Sequence, residues 1–199
     1  MSRSQNGWPV VKSGLTSLPQ VTGKVRTGPV WVVMYWLCEY FARTVEPIRK
    51  TWSWGWAYRR ISGSAKWSNH ASGTAIDLNA PKHPAGKAGT FTSAQAAQIN
   101  LIMKAARGVL RWGHLFKDEM HFEIAPGATP AEVQRVATVI LQVALAGVGY
   151  DPGPADGIRG PRTKAGLLAF QTAAGLTPDG IDGPLTWAAI TTAQQKVNA

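Results

Sequence analysis

Residues 68–79, SNHASGTAIDLN, decide how the N-terminal part of this chain is read. A polar loop, ISGSAKWSNHASG (61–73), runs into a short apolar segment over Thr74–Asn79, so His70 and Asp77 flank a loop-to-strand step. A second stretch, DEMHFE (118–123), places His121 in a strand expected around Met120–Ile124. A catalytic zinc takes three protein ligands of N or O type and keeps one position open for water. Two imidazoles and one carboxylate meet that need and leave the ion one formal positive charge, enough to acidify its water. Asp118 lies three residues before His121; on a turn entering the strand it can point at that water and act as its base. Each residue also has a plainer explanation. A buried Asp can cap a loop, and His121 can be a core histidine with satisfied nitrogens. His83, in a Pro-flanked basic loop, is expected to be exposed, and His114, after Trp112-Gly113, to line a cleft without binding metal.

Upstream of the motif, GPVWVVMYWLCEYFARTVEPI (28–48) reads as one buried helix with Pro29 near its start and Pro47 at its end. TWSWGWAYRR (51–60) alternates, which predicts a strand with Trp52, Trp54 and Trp56 on one face against that helix. Ser93 is the expected N-cap of a helix over 94–110. Helix, strand, strand, helix, strand is an α+β order with a small antiparallel sheet. Ala125–Pro130 (APGATP) reads as a linker, dividing a domain over 1–126 from one over 127–199. Beyond it, DGIRGPRT (156–163) and DGIDGPLT (179–186) repeat 23 residues apart, each a Gly turn followed by a Pro suited to the first helical position. Three short helices, 131–147, 161–174 and 184–196, are predicted, an all-α module with little room for an active site.

The charge is unevenly placed. Residues 1–125 carry 16 Lys+Arg against 6 Asp+Glu, and residues 126–199 carry 5 against 5, so the whole net charge of +10 lies in the first part. That points to an anionic partner. The basic residues are scattered and form no recognition-helix stripe, which argues against nucleic acid; an anionic polymer such as a cell wall explains the charge equally well. Cys38, the single cysteine, excludes an internal disulfide and falls in an apolar run, so a buried thiol is expected. Val30–Cys38 is too short to span a bilayer, and MSRSQNGWPVVKSG has no long apolar core of a secretory signal. The chain is thus expected to be made in a host cytoplasm, to insert in no membrane, to work as a monomer, and to need release to reach anything outside the cell. Glu39 and Glu46 fall on the buried helix, leaving few carboxylates for a glycosidase pair.

Ser68-x-His70-x-x-Gly73-x-Ala75-x-Asp77 followed by Asp118-x-x-His121 resembles the signature of the zinc peptidase family of D-alanyl-D-alanine carboxypeptidases and L-alanyl-D-glutamate endopeptidases, over about residues 28–125. The resemblance implies a hedgehog/D-Ala-D-Ala metallopeptidase-like fold and one Zn²⁺ per chain on His70, Asp77 and His121, with Asp118 as general base. Many relatives carry Glu where Asp118 stands. Tyr58-Arg59 is similar to the family's Tyr-Arg, which implies that Arg59 meets the developing oxyanion. Ser68 is implied to bond substrate or a ligand, Gly73 and Ala75 to keep space beside the metal, and Trp112 and His114 are expected to touch substrate. Glu123 reads as a support of the site or a structural group. Residues 141–190, through Leu141-Gln142, Gly149-Tyr150, Asp156-Gly157, Phe170-Gln171 and Asp179-Gly180, resemble the three-helix peptidoglycan-binding domain, with Leu141, Leu145, Leu167, Phe170 and Trp187 as its core. Together these imply a wall hydrolase similar to bacteriophage endolysins, cutting the stem peptide of peptidoglycan at L-Ala–D-Glu. A D,D-carboxypeptidase or D,D-endopeptidase and a non-catalytic wall-binding protein remain open.

Overall fold

Parity along three short strands organises the first part of the molecule. In the computed structural model, which describes residues 2–197, β3 (Ala75–Asp77) and β4 (Leu110–Trp112) both pair antiparallel with the central β5 (His121–Ile124). Asp77 stands opposite His121, and Ala75, Glu123 and Arg111 form the next row. Successive side chains of a strand point to opposite faces. These odd-numbered residues therefore share one face, while Ile76, Phe122, Trp112, Ile124 and Leu110 share the other and are all buried.

Against that apolar face lies α1 (Pro29–Thr44), with Pro29 in its first turn, nine buried residues, and an end just ahead of Glu46-Pro47. Phe41 is fully buried and meets both Phe91 and Phe122 edge-on, at 6.0 and 5.7 Å between centroids. A ring buried this way contributes about 1.5–3 kcal/mol. Cys38 is fully buried, and burial pushes its thiol far above the usual range, so it is no nucleophile. α2 (Ser93–Ala105) packs on α1.

Several expectations from sequence are corrected. The cap of α2 is Thr92, not Ser93: its hydroxyl accepts from Gln95 N–H while the Gln95 side chain accepts from Thr92 N–H. The helix stops at Ala105 because Arg107 turns left-handed (φ 51°), and the chain returns as β4 where helix was expected to continue. No regular strand covers 51–60. Lys50–Trp52 is a 3₁₀ turn, and the segment after it pairs only through isolated bridges, Trp54 with Thr22 on one side and Asp77 on the other. The three tryptophans accordingly do not share a face against α1. Trp52 stacks on Arg49, the Trp56 indole donates to Val11 O, and Trp54 is 42% exposed. Ahead of α1, β1 (Leu15–Ser17) and β2 (Lys24–Arg26) form a hairpin. Ahead of it, Ser4 and Asn6 are buried and bonded to Ser72, Asn69, Thr74 and Ile124.

The chain divides into two compact units, one ending at Val133 and the next starting at Gln134. The second holds α3 (Pro130–Gly147) from Gln134 on, α4 (Pro161–Ala173) and α5 (Pro184–Val197), an all-α arrangement with Leu141, Leu145, Leu167, Phe170 and Trp187 in its core. Its repeat is structural as well as textual. The buried Gln142 amide donates to Asp156 Oδ1, Ile158 O and Thr163 Oγ1 and accepts from Gly157 N–H. Gln171 does the same for Asp179, Ile181, Thr186 and Gly180. Among the described residues, no helix is long and apolar enough to cross a membrane.

Candidate metal centre

His70 sits on a 3₁₀ turn, Asn69–Ser72, whose cap is Ser68: its hydroxyl accepts from His70 N–H at 3.3 Å. Ser68 thus holds the turn that carries His70. The turn closes at Gly73 in the left-handed region (φ 69°). A Cβ on Gly73 would meet Leu15 Cδ2 at 2.7 Å and Arg26 N at 2.8 Å, so this glycine admits the β1–β2 hairpin; it was expected to make room beside the metal. The imidazole is aimed by its far side, Nδ1 donating to the carbonyl of Gly55 at 2.8 Å, which turns Nε2 toward Asp77.

His70, Asp77 and His121 are all buried, and one ligand atom from each lies within 4.8 Å of the others. His70 Nε2 is 3.3 Å from Asp77 Oδ2, and His121 Nδ1 is 2.8 Å from Asp77 Oδ1. Tetrahedral ligands about 2.0–2.1 Å from an ion stand about 3.3 Å apart, so the spacing fits one. Burial raises the Asp77 carboxyl, but the two imidazoles outweigh it and hold the group far below the usual carboxylate range. Burial likewise works against charge on His121, yet hydrogen bonds to Asp77 and Glu123 drive its pKa up to about 10. Both its nitrogens face carboxylate oxygens, so without a metal a proton stands between Nδ1 and Asp77, where an ion would otherwise be held. The donor set fits a divalent metal, and the three residues could hold one.

Asp118 is carried to the trio by a tight turn. Its N–H donates to Gly113 O, and its own carbonyl accepts from His121 N–H, both at 3.0 Å. A methyl on Gly113 would overlap the Asp118 carbonyl oxygen, so the turn needs glycine there. Oδ1 of Asp118 is buried without a hydrogen-bond partner. Burial and the nearby Asp77 charge raise the Asp118 carboxyl, against a lowering pull from His121, His70 and Arg59. Arg59 is exposed and close enough for its charge to act on Asp118.

Around these, Glu123 is 1% exposed and accepts from His121 Nε2 at 3.0 Å, from Arg111 Nε at 2.6 Å, and from Asn69 Nδ2. Sequence placed Glu123 near the site; Arg111 and Asn69 carried no motif signal. Trp112 does not line the site. It projects from the core face of β4, stacks with Phe122, and donates its indole N–H to Glu119 O. His114 is half-exposed, stacks on Trp112 and pairs with Glu119 at 2.7 Å, outside the trio. His83, expected in solvent, is buried between Thr90 and Glu46 with its ring against Phe91. Glu46 itself lies beyond the end of α1.

Residues 62–124 match the family model described as D-alanyl-D-alanine carboxypeptidase, and residues 134–190 match that described as "Putative peptidoglycan binding domain". The two matched segments follow one another along the chain. The first segment contains His70, Asp77, Asp118, His121 and Glu123, while Arg59 lies just ahead of it. The second covers both Gln-clamped loops. A stretch of 48 residues is 54% identical to an uncharacterized protein in bpoA1 3'region of Kitasatospora aureofaciens; it covers 24% of this chain and only 38% of that relative's length. No solved structure matches the chain.

Proposed function

We propose that this protein is a zinc-dependent peptidase that cuts the stem peptides of bacterial peptidoglycan, at the L-Ala–D-Glu bond, and that its second unit holds it on that polymer. The observation that carries the reading is the buried, partnerless Oδ1 of Asp118 beside a His-Asp-His group of metal-binding spacing. A purely structural ion needs no such oxygen. When bound, zinc supplies the Lewis acidity that makes water nucleophilic near neutral pH. His70, Asp77 and His121 would hold the ion, with Ser68, Gly55 and Glu123 keeping the imidazoles aimed. Asp118, its carboxyl raised by burial, takes the water's proton and passes it to the leaving amine. Arg59 faces the negative charge that develops on the carbonyl oxygen.

A module fixed on the wall raises the local concentration of stems around the peptidase unit. The surplus positive charge of residues 1–125 draws it to a polymer rich in carboxylates, an attraction that salt weakens. This suits a bacteriophage-type endolysin that reaches the wall once released from the cytoplasm, acting as a monomer and binding no nucleic acid.

Mass spectrometry of digested wall tests the reading. New D-glutamate N-termini that vanish on removing zinc with excess chelator are expected. Loss of terminal D-alanine instead would move the activity to D,D-peptidase, and cleavage that survives rigorous demetallation would sink the metal reading.

A further inference from the structure

The odd-numbered face of the sheet carries one large side chain that the proposed chemistry does not use. Trp54 pairs antiparallel with Asp77 through both backbone hydrogen bonds, Trp54 N–H to Asp77 O at 2.9 Å and Asp77 N–H to Trp54 O at 2.8 Å. Residues opposed in such a pair project to the same face, with Cα atoms about 5.5 Å apart. The row across that face is therefore Trp54, Asp77, His121. Its neighbours agree: Ser53, of opposite parity, is fully buried, while the Trp54 indole is 42% exposed.

This exposure has no structural return. Among the described residues, every other tryptophan is buried, stacked on a ring or cation, or bonded through its indole N–H. The Trp54 ring has none of these contacts. A second part-exposed ring, Phe116, lies with its centroid 6.1 Å from that of His121, but the Arg111 guanidinium covers it at 5.1 Å.

We infer that Trp54 is a saccharide subsite: its indole stacks on the sugar ring to which the stem peptide is attached, and so selects the bond nearest the glycan. The inference rests on the peptidase reading above. An exposed indole offers a flat apolar surface with a polar rim, which matches the C–H face of a pyranose ring. Reach decides which bond can use it. An extended chain covers about 3.3–3.6 Å per residue. The sugar is separated from the L-Ala–D-Glu bond by its lactyl group and one alanine, about 7 Å, close to the offset of one strand neighbour from Asp77. A bond between terminal D-alanines, four residues and the lactyl group away, lies about 17 Å from the sugar, beyond a ring beside the metal.

The test compares kcat/KM for one stem peptide with and without its disaccharide. Wild type should prefer the sugar-bearing form. Trp54→Ala should lower that preference roughly fivefold to tenfold, and Trp54→Phe should keep most of it, with zinc content the same in all three. In metal-stripped protein, titrating the peptide-free disaccharide should shift an indole N–H resonance assigned to Trp54 by its loss in Trp54→Phe. A preference unchanged in Trp54→Ala, or no shift of that resonance, overturns the subsite alone. A wild-type protein that cuts neither substrate overturns the peptidase reading and the subsite with it.

Discussion

Oε2 of Glu123 lies 3.0 Å from Nε2 of His121, two residues back along the same face of β5, and this pair fixes which nitrogen of His121 faces Asp77. Glu123 can only accept, so Nε2 carries the proton and Nδ1 is left for a metal. Without the metal, Nδ1 is protonated as well, because the group's pKa stands at about 10, well above its free value of about 6.5. Binding zinc at pH 7–8 must therefore release close to one proton from His121, and affinity should rise with pH until about 10. Calorimetry in two buffers of different ionisation enthalpy measures that proton. A binding enthalpy independent of buffer would contradict the arrangement.

Asp118→Asn removes the proposed base and preserves the shape of the turn. The variant should bind zinc as the wild type does and lose about 10²–10⁴-fold in kcat, the usual share of a positioned base. Metal analysis beside a turnover assay separates the two; full activity in the variant would reassign the base.

Gly113→Ala should act on the same group from a distance. Its methyl would overlap the Asp118 carbonyl, so the turn must open and carry Asp118 away from the trio. A shift of about 1 Å in a catalytic group can cost about 100-fold in rate. The expected outcome is a folded, zinc-binding protein with kcat down by that order, read from turnover with circular dichroism as the folding control.

Glu119 supplies a dependence on pH that concerns stability. Burial pushes its carboxyl up, but hydrogen bonds from Thr90 and Gly89 and the contact with His114 outweigh this and hold it at about 2. A carboxyl depressed in the folded state contributes stability above its unfolded pKa, about 4.3, and loses it as pH falls toward 2. Thermal melts of the wild type should drop across that window more steeply than those of Glu119→Gln. Parallel curves would show that the bonds carry no such weight.

In the second unit, Gln171→Ala strips Asp179, Ile181, Thr186 and Gly180 of a shared partner. Of these only Thr186 is buried and water can reach the rest; an unpaired buried polar group costs about 1–3 kcal/mol, so denaturation should show a loss of about 1 kcal/mol. Gln142→Ala should match it, since its bonds are the same in kind. A loss below that of ordinary surface changes would break the parallel between the repeats.

Two short motifs, taken with the resemblance they carry, made the grouping of the trio legible, and prolines placed at helix starts did the same for the three C-terminal helices. What depended on register was not legible. Trp112 and Trp54 are both tryptophans in short extended segments, and only the pairing of β4 and β5, and of Trp54 with Asp77, puts one in the core and the other in the open. His83 looked solvent-bound from its loop, since nothing nearby in sequence announces Glu46 as its partner. Arg111 and Asn69 reach Glu123 across the sheet and from the 3₁₀ turn, contacts that no spacing rule encodes.

The buried lead has a bearing on how the molecule comes into being. The Asn6 side chain donates to Thr74 Oγ1 and to the carbonyl of Ile124, and its backbone N–H donates to Asn69 Oδ1. The Ile124 carbonyl stands 118 residues along the chain from Asn6, so this part of the fold closes across a long loop. Replacing Ser4 or Asn6 therefore threatens the 3₁₀ turn that carries His70 as directly as a change beside the trio.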